Sequence, residues 1–331
     1  MRIVSLAGGI GGARFLRGLL AAAPGSEITV IGNTGDDITL YGLQVCPDLD
    51  TVMYTLGGGI DEDQGWGRQK ETHVVKEELA AYGVEPQWFG LGDRDFATHI
   101  VRTQMLRAGY PLSAVTEALC ARWEPGVRLI PMSDDRTETH VVISDEQGRR
   151  AVHFQEWWVR LRASVPAEEI ILVGADQARP APGVLEAIAD ADAVILPPSN
   201  PVVSIGTILQ IKGIREALES KTVVGVSPIV GGAPVRGMAD ACLTAIGVET
   251  TAQAVLELYG SPLVNGWLVA EEDDGVGLDG VGLDGVRVRS RPLIMHDVES
   301  AAAIARAALD LATELSASRG EPAGTQGEDG L

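Results

Sequence analysis

The residues with the most chemistry to offer are aspartates near the N-terminus. Asp36-Asp37 follow a short apolar run, and Asp48 and Asp50 lie in Cys46-Pro47-Asp48-Leu49-Asp50-Thr51. Asp61 follows Gly57-Gly58-Gly59-Ile60, a flexible turn able to bring it back towards Asp50. Two or three carboxylates around Mg²⁺, with water and phosphate oxygens completing an octahedron, form an arrangement that phosphoryl chemistry commonly uses. We therefore expect Asp50 and Asp61 to be catalytic carboxylates that hold Mg²⁺. Asp48 has a second reading, as the cap of a helix starting near Thr51.

Ahead of these acids lies Ala7-Gly8-Gly9-Ile10-Gly11-Gly12-Ala13-Arg14, directly after the apolar run Arg2 to Leu6. A strand, a glycine turn and an amphipathic helix gather backbone N–H groups and a positive helix end, where a phosphate can sit. A second, less favoured reading has the same glycines serving only a tight turn and close helix packing. They fit the Gly-x-Gly-x-x-Gly dinucleotide fingerprint poorly, and no Walker Gly-Lys-Ser/Thr follows, which excludes a P-loop NTPase. No Gly-x-Ser-x-Gly elbow is present, and His73, His99, His140, His153 and His296 lack zinc-ligand spacing.

The elements that must position these residues alternate. Arg2 to Leu6, Ile28 to Ile31, Val141 to Ile143, Ile170 to Val173, Ala193 to Leu196 and Thr222 to Val226 read as buried strands. Helical patterns at Ala13 to Ala23, Pro182 to Ala189 and Ile208 to Leu218 fall between them. Such alternation predicts an α/β fold, a Rossmann-like doubly wound and mostly parallel sheet. Thr72 to Tyr82, Asp95 to Ala108 and Leu112 to Arg122 are helical without an intervening strand. We expect a core over 1–63 and 125–315, a helical insertion subdomain over 64–124 that lies across the site, and a disordered tail over 316–331. The near-duplicate Gly275-Val276-Gly277-Leu278-Asp279-Gly280-Val281-Gly282-Leu283-Asp284-Gly285 reads as a mobile surface loop, being too short for a solenoid.

Composition narrows the function classes. With 46 acidic and 26 basic residues among 331, the net charge of -20 would repel a nucleic-acid backbone. It also repels any small phosphorylated ligand, so a divalent cation or local backbone dipoles must compensate at a nucleotide site. Cys46, Cys120 and Cys242 form no Cys-x-x-Cys pair, and no apolar run approaches a membrane-spanning length. A cytoplasmic location is the expectation.

Further polar segments complete an ordered series. Gly-Gly-Ile-Gly-Gly-Ala-Arg, Pro47-Asp48-Leu49-Asp50-Thr51-Val52, Leu91-Gly92-Asp93-Arg94-Asp95 with Ala97-Thr98-His99, and Pro131-Met132-Ser133-Asp134-Asp135 come first. His153-Phe154-Gln155 with Trp157, Pro198-Ser199-Asn200-Pro201 and Ser227-Pro228-Ile229 follow. The series resembles the 2-phospho-lactate transferase family of deazaflavin coenzyme F-420 biosynthesis, in order from residue 1 to about residue 240.

That resemblance implies a transferase whose small-molecule partners are the deazaflavin Fo and a guanosine diphosphate-linked donor. The terminal hydroxyl of Fo attacks the phosphorus bearing a small carboxylic acid, lactate or enolpyruvate, and GMP leaves. Likeness to the actinobacterial branch favours the phosphoenolpyruvyl donor. By resemblance, Asp50, Asp93, Arg94, Thr98 and His99 face Fo, and Gly9, Gly11, Gly12, Asn33, Asp36, Ser199, Asn200 and Ser227 face the nucleotide. A homodimer is the family habit. Some relatives carry a Lys before Leu-Gly-Asp-Arg-Asp as an Fo contact, where this chain has Gly90, so a basic group there must be absent or replaced. A binding-only alternative is a nucleotide-sugar regulator on a similar core, whose acidic loop reads Asp-Asp-Gly-Gly-Ser; Asp36-Asp37-Ile38-Thr39 does not fit it.

Overall fold

The computed structural model describes residues 1–273 and 285–320. Its central sheet has seven strands: β1 Arg2–Ala7, β2 Glu27–Gly32, β3 Arg128–Pro131, β4 Ala193–Leu196, β5 Val223–Val226, β6 Gly266–Val269 and β7 Arg287–Ser290. All neighbours pair in parallel, in the spatial order β7-β6-β5-β4-β1-β2-β3. This is a doubly wound sheet whose direction of growth reverses between β1 and β4. At such a switch point the loops leaving the two strands diverge and open a crevice.

Burial explains the strands. β4, β5 and β6 are buried at every position, as strands covered on both faces must be. One face is covered by helices Val184–Asp190, Ile205–Gln210, Ile214–Glu219, Ala239–Ala245 and Ala252–Tyr259. Gly9–Ala22, Pro47–Leu56, Leu112–Trp123 and Val298–Gly320 cover the other. Gly18 allows the first and last of these to meet, because a Cβ there would lie 2.3 Å from the Ala301 carbonyl carbon.

Several sequence expectations change in detail. The runs at Val141–Ile143 and Ile170–Val173 are strands, but in a separate antiparallel sheet of Glu138–Asp145, Gly148–His153 and Ala167–Val173. An apolar run specifies burial and not partner direction, and the tight turn between Asp145 and Gly148 forces an antiparallel neighbour. The pattern over Ile208–Leu218 is two helices, interrupted where Gly213 adopts a φ of 96°. The last helix continues to Gly320 and takes in the first five residues of the expected tail. Most of the duplicated glycine segment and residues 321–331 lie outside the described residues.

The stretch 64–124 holds three helices, Val74–Ala81, Asp93–Arg107 and Leu112–Trp123, and no strand of the central sheet. The first two are fastened end to end. Asp93 accepts the N–H groups of Val74 and Val75, while Glu71 accepts those of Arg94 and Asp95. Each helix's orphan N-terminal donors thus meet a carboxylate. The third helix buries Leu112, Val115 and Leu119 in the sheet's own core. Among the described residues no helix is long and apolar enough to cross a membrane.

Candidate functional site

A cleft of about 400 Å³ opens at the switch point, lined by the loops after β1, β4 and β5. The loops after β1 and β4 are joined by Ser199, whose hydroxyl donates to the Gly8 carbonyl at 2.8 Å and accepts the Gly8 N–H at 3.3 Å. Their approach leaves no room for side chains. A Cβ on Gly11 would lie 2.5 Å from the Pro198 carbonyl oxygen, and one on Gly12 would lie 2.4 Å from Ser199 Oγ. Gly11 and Gly12 therefore serve close packing, and Gly12 does not line the cleft. Gly9, Ile10 and Gly11 carry the helix N-terminus into it.

Asp48 faces that N-terminus. It accepts the Gly9 N–H at 2.8 Å and the Asn33 side-chain amide at 2.9 Å. Burial pushes its carboxyl up to about 6, against the pull of those two bonds. Asp36 also lines the cleft, with Oδ1 buried and unpartnered and Oδ2 accepting Gln155 Nε2 at 3.5 Å. Burial, then the charges of Asp48 and Asp37, hold Asp36 well above the usual carboxylate range. Two adjoining carboxylates with an unpartnered oxygen suit a hard divalent cation, and Mg²⁺ characteristically takes one or two carboxylates plus substrate oxygens. No group of three or more metal-ligating side chains forms among the described residues.

The lining also includes cationic and aromatic side chains. Arg14 and Arg236 line the cleft, as do Trp66, Phe89, Phe154 and Trp158. Phe154 and Trp158 stack at 6.2 Å, and Trp66 is half exposed. Gly90 lines the cleft as bare backbone, and Lys76 Nζ lies 3.6 Å from where its Cβ would be. Lys76, on helix Val74–Ala81, is thus the basic group beside Gly90.

The sequence-derived sites are distributed unevenly around this cleft. Gly9, Gly11, Asp36, Ser199 and Asn200 line it. Asn33 is fully buried behind it, donating to Asp48 and to the Val203 carbonyl and accepting from Gly35 and Thr207. Its role is to hold Asp48 in place. Ser227 folds onto Ile229 in a turn of its own and stands off the wall.

Asp50 is buried, and both of its carboxylate oxygens pair with the Arg102 guanidinium. Arg102 Nη1 also lies 3.1 Å from His99 Nδ1, and His99 Nε2 lies 3.3 Å from Asp95, which accepts the Tyr54 hydroxyl at 2.7 Å. Burial works against the Arg102 charge, but Asp50, Cys46 and Tyr54 together outweigh that effect and raise its pKa. Thr98 lies buried on the same helix. This network joins helices Pro47–Leu56 and Asp93–Arg107. Asp61 accepts N–H groups from Asp63 and Gln64 in its own turn. Asp93 is a helix cap, and Arg94 is exposed on the outer surface. Asp50, Asp61, Asp93, Arg94, Thr98 and His99 therefore do not line the cleft, and the structure engages Asp50 and Asp61 with separate partners.

Sequence reasoning missed Arg14, Arg236 and Lys76. Arg14 ends the glycine motif and carried a signal; Arg236 reaches the cleft, and Lys76 the flank of Gly90, through tertiary structure alone.

The fold and this cleft define a doubly wound α/β protein with its candidate ligand site at the topological switch point. Residues 3–281 match the family described as 2-phospho-L-lactate transferase CofD, and the chain belongs to that family. A phosphoenolpyruvate transferase of Thermobifida fusca (strain YX) is 70% identical over 324 residues, covering 95% of this chain and 99% of that protein. A phosphoenolpyruvate transferase of Mycolicibacterium smegmatis is 60% identical over 329 residues, covering 94% and 99%. The crystal structure of protein BH3568 from Bacillus halodurans, described as a member of the UPF0052 family, superposes with a TM-score of 0.61. It covers 93% of this chain and 99% of its own at 18% identity, a likeness of fold.

Proposed function

We propose that the chain transfers a phosphoenolpyruvyl or 2-phospholactyl group from a guanosine diphosphate-linked donor to the terminal hydroxyl of Fo. The acceptor oxygen forms a bond to the phosphorus bearing the acid, the bond from that phosphorus to the GMP oxygen breaks, and one proton is released. The products are GMP and a phosphodiester, coenzyme F-420-0 or its dehydro form. The phosphoenolpyruvyl donor is favoured by the names of the relatives that share most of this chain's length.

The observation that carries this reading is the mixed lining of the cleft. A helix N-terminus and two guanidinium groups suit phosphates, while Trp66, Phe89, Phe154 and Trp158 suit a planar ring and exclude water from it. Little covalent chemistry is asked of the protein in phosphoryl transfer, so positioning two substrates in line supplies much of the rate. The Ile10 and Gly11 N–H groups would orient the diphosphate, and Lys76 would meet the acceptor at the bare edge of Gly90. Asp36 and Asp48 would hold Mg²⁺, which when bound neutralises charge on the diphosphate. The test is mass spectrometry of protein incubated with Fo, Mg²⁺ and both donors. Product with GMP release supports the transferase and identifies its donor; intact substrates with folded protein overturn it.

A further inference from the structure

We propose that Arg14 and Arg236 form a clamp for a ligand carrying two adjacent anionic groups. This deepens the transferase reading and rests on it only for the identity of the ligand. Both residues line the cleft, one from the first helix and one from the loop after β5, 222 positions apart in sequence. Neither forms an ion pair or side-chain hydrogen bond among the described residues, although this chain has a large excess of acid.

The carboxylates nearby are engaged elsewhere or left unpartnered. Glu62, the acid acting on Arg14, is held by both terminal nitrogens of Arg17 at 3.3 and 2.9 Å. Asp48 is held by Gly9 and Asn33, and Asp36 keeps one oxygen on Gln155 and leaves the other unpartnered, without pairing to either arginine. Burial, followed by the Arg236 charge, lowers the Arg14 pKa against the pull of Glu62, so the two guanidinium groups lie close enough to repel each other. Gly65 closes over the same point, where a Cβ would lie 3.4 Å from Arg236 Nη1 and 3.0 Å from Ile10 Cγ2.

An anion between them reverses that repulsion. A guanidinium presents parallel N–H groups that match a phosphate or carboxylate edge, so two of them suit two such edges. Side chains on a helix lean towards its N-terminus, which directs Arg14 back over the turn that carries the Ile10 and Gly11 N–H groups. The ligand chemistry is therefore either a diphosphate or a phosphate beside a carboxylate. In the donor of the proposed reaction these are the nucleotide's diphosphate and the transferred acid with its phosphorus.

Calorimetric titration of the full chain with inorganic pyrophosphate, and separately with phosphoenolpyruvate, tests the clamp in Arg14→Gln, Arg236→Gln and Arg149→Gln. Arg149 is an exposed control paired with Glu168 on the antiparallel sheet. Weakening of roughly tenfold or more in the first two variants, with the control unchanged, supports the clamp. Loss confined to pyrophosphate assigns the pair to the diphosphate, and loss confined to phosphoenolpyruvate assigns it to the acid. Equal binding by all variants, or no binding by the wild type, overturns it. Turnover separates the two proposals. Arg-dependent anion binding without transfer leaves the clamp standing and removes the reaction, whereas transfer with unchanged donor KM in both variants does the reverse.

Discussion

At Gly90 the cleft wall is backbone, and the half-buried Lys76 ammonium supplies charge to it from another helix. If that charge meets the acceptor, Lys76→Met raises the acceptor KM by roughly fivefold while kcat changes little, since an exposed charge contact contributes on the order of 1 kcal/mol. Steady-state kinetics with varied Fo decide it, and an unchanged KM removes Lys76 from the site. Asp36 carries the opposite tension. Its folded-state pKa lies well above 3.8, so between those values the folded protein binds more protons than the unfolded chain. Stability from this group is present at low pH and is lost as pH rises through that window. Asp36→Asn removes the loss, so its Tm advantage over wild type should grow from pH 4 to pH 7, while its transfer activity falls severely. Thermal melts across that range check the sign: a difference that shrinks with rising pH contradicts the burial argument.

Between elements, the Asp50–Arg102 pair pins helix Pro47–Leu56 to helix Asp93–Arg107. Removing one partner strands a buried charge, so Arg102→Met should cost about 3–5 kcal/mol in denaturant unfolding. Asp50→Leu combined with Arg102→Met replaces the pair by apolar volume and should recover most of that loss. The double variant also asks what Asp50 is for. Retained turnover marks Asp50 as a joint between helices, and a folded but inactive protein returns it to the reaction. This contact also shows why the site was only partly legible in the sequence. Gly9, Asp36, Ser199 and Asn200 follow strands, so the apolar runs alone place them at one sheet edge. The partner of Asp50 lies 52 residues downstream in a helix whose pattern says nothing about it. The sheet divides in the same way. β1, β2, β4 and β5 announce themselves as apolar runs, but β7 alternates Arg287 and Arg289, both paired with Glu314, and reads as surface. Charged edge strands blunt unwanted pairing, and that function hides them from a hydrophobicity argument.

Over the whole molecule, a net charge of -20 surrounds the cleft that we propose takes anionic substrates. The two effects act over different distances. Arg14, Arg236 and the helix N-terminus lie in the cleft itself, whereas most of the acid is spread over the surface. The Debye length is about 30 Å at 0.01 M salt and about 8 Å at 0.15 M, so moderate salt screens the distant acid first and leaves close contacts largely intact. Donor association should therefore speed up by roughly two- to fivefold between those concentrations, then slow again towards about 1 M as the local cations are screened. A protein steering its ligand by net attraction would show the reverse, a fall from the lowest salt onward. Stopped-flow fluorescence of donor binding, with Trp66 in the cleft contributing to the signal, distinguishes the two. A monotonic decrease would mean that the field at the mouth of the cleft is already positive, and that Arg14, Arg236 and Lys76 dominate the approach as well as the bound state.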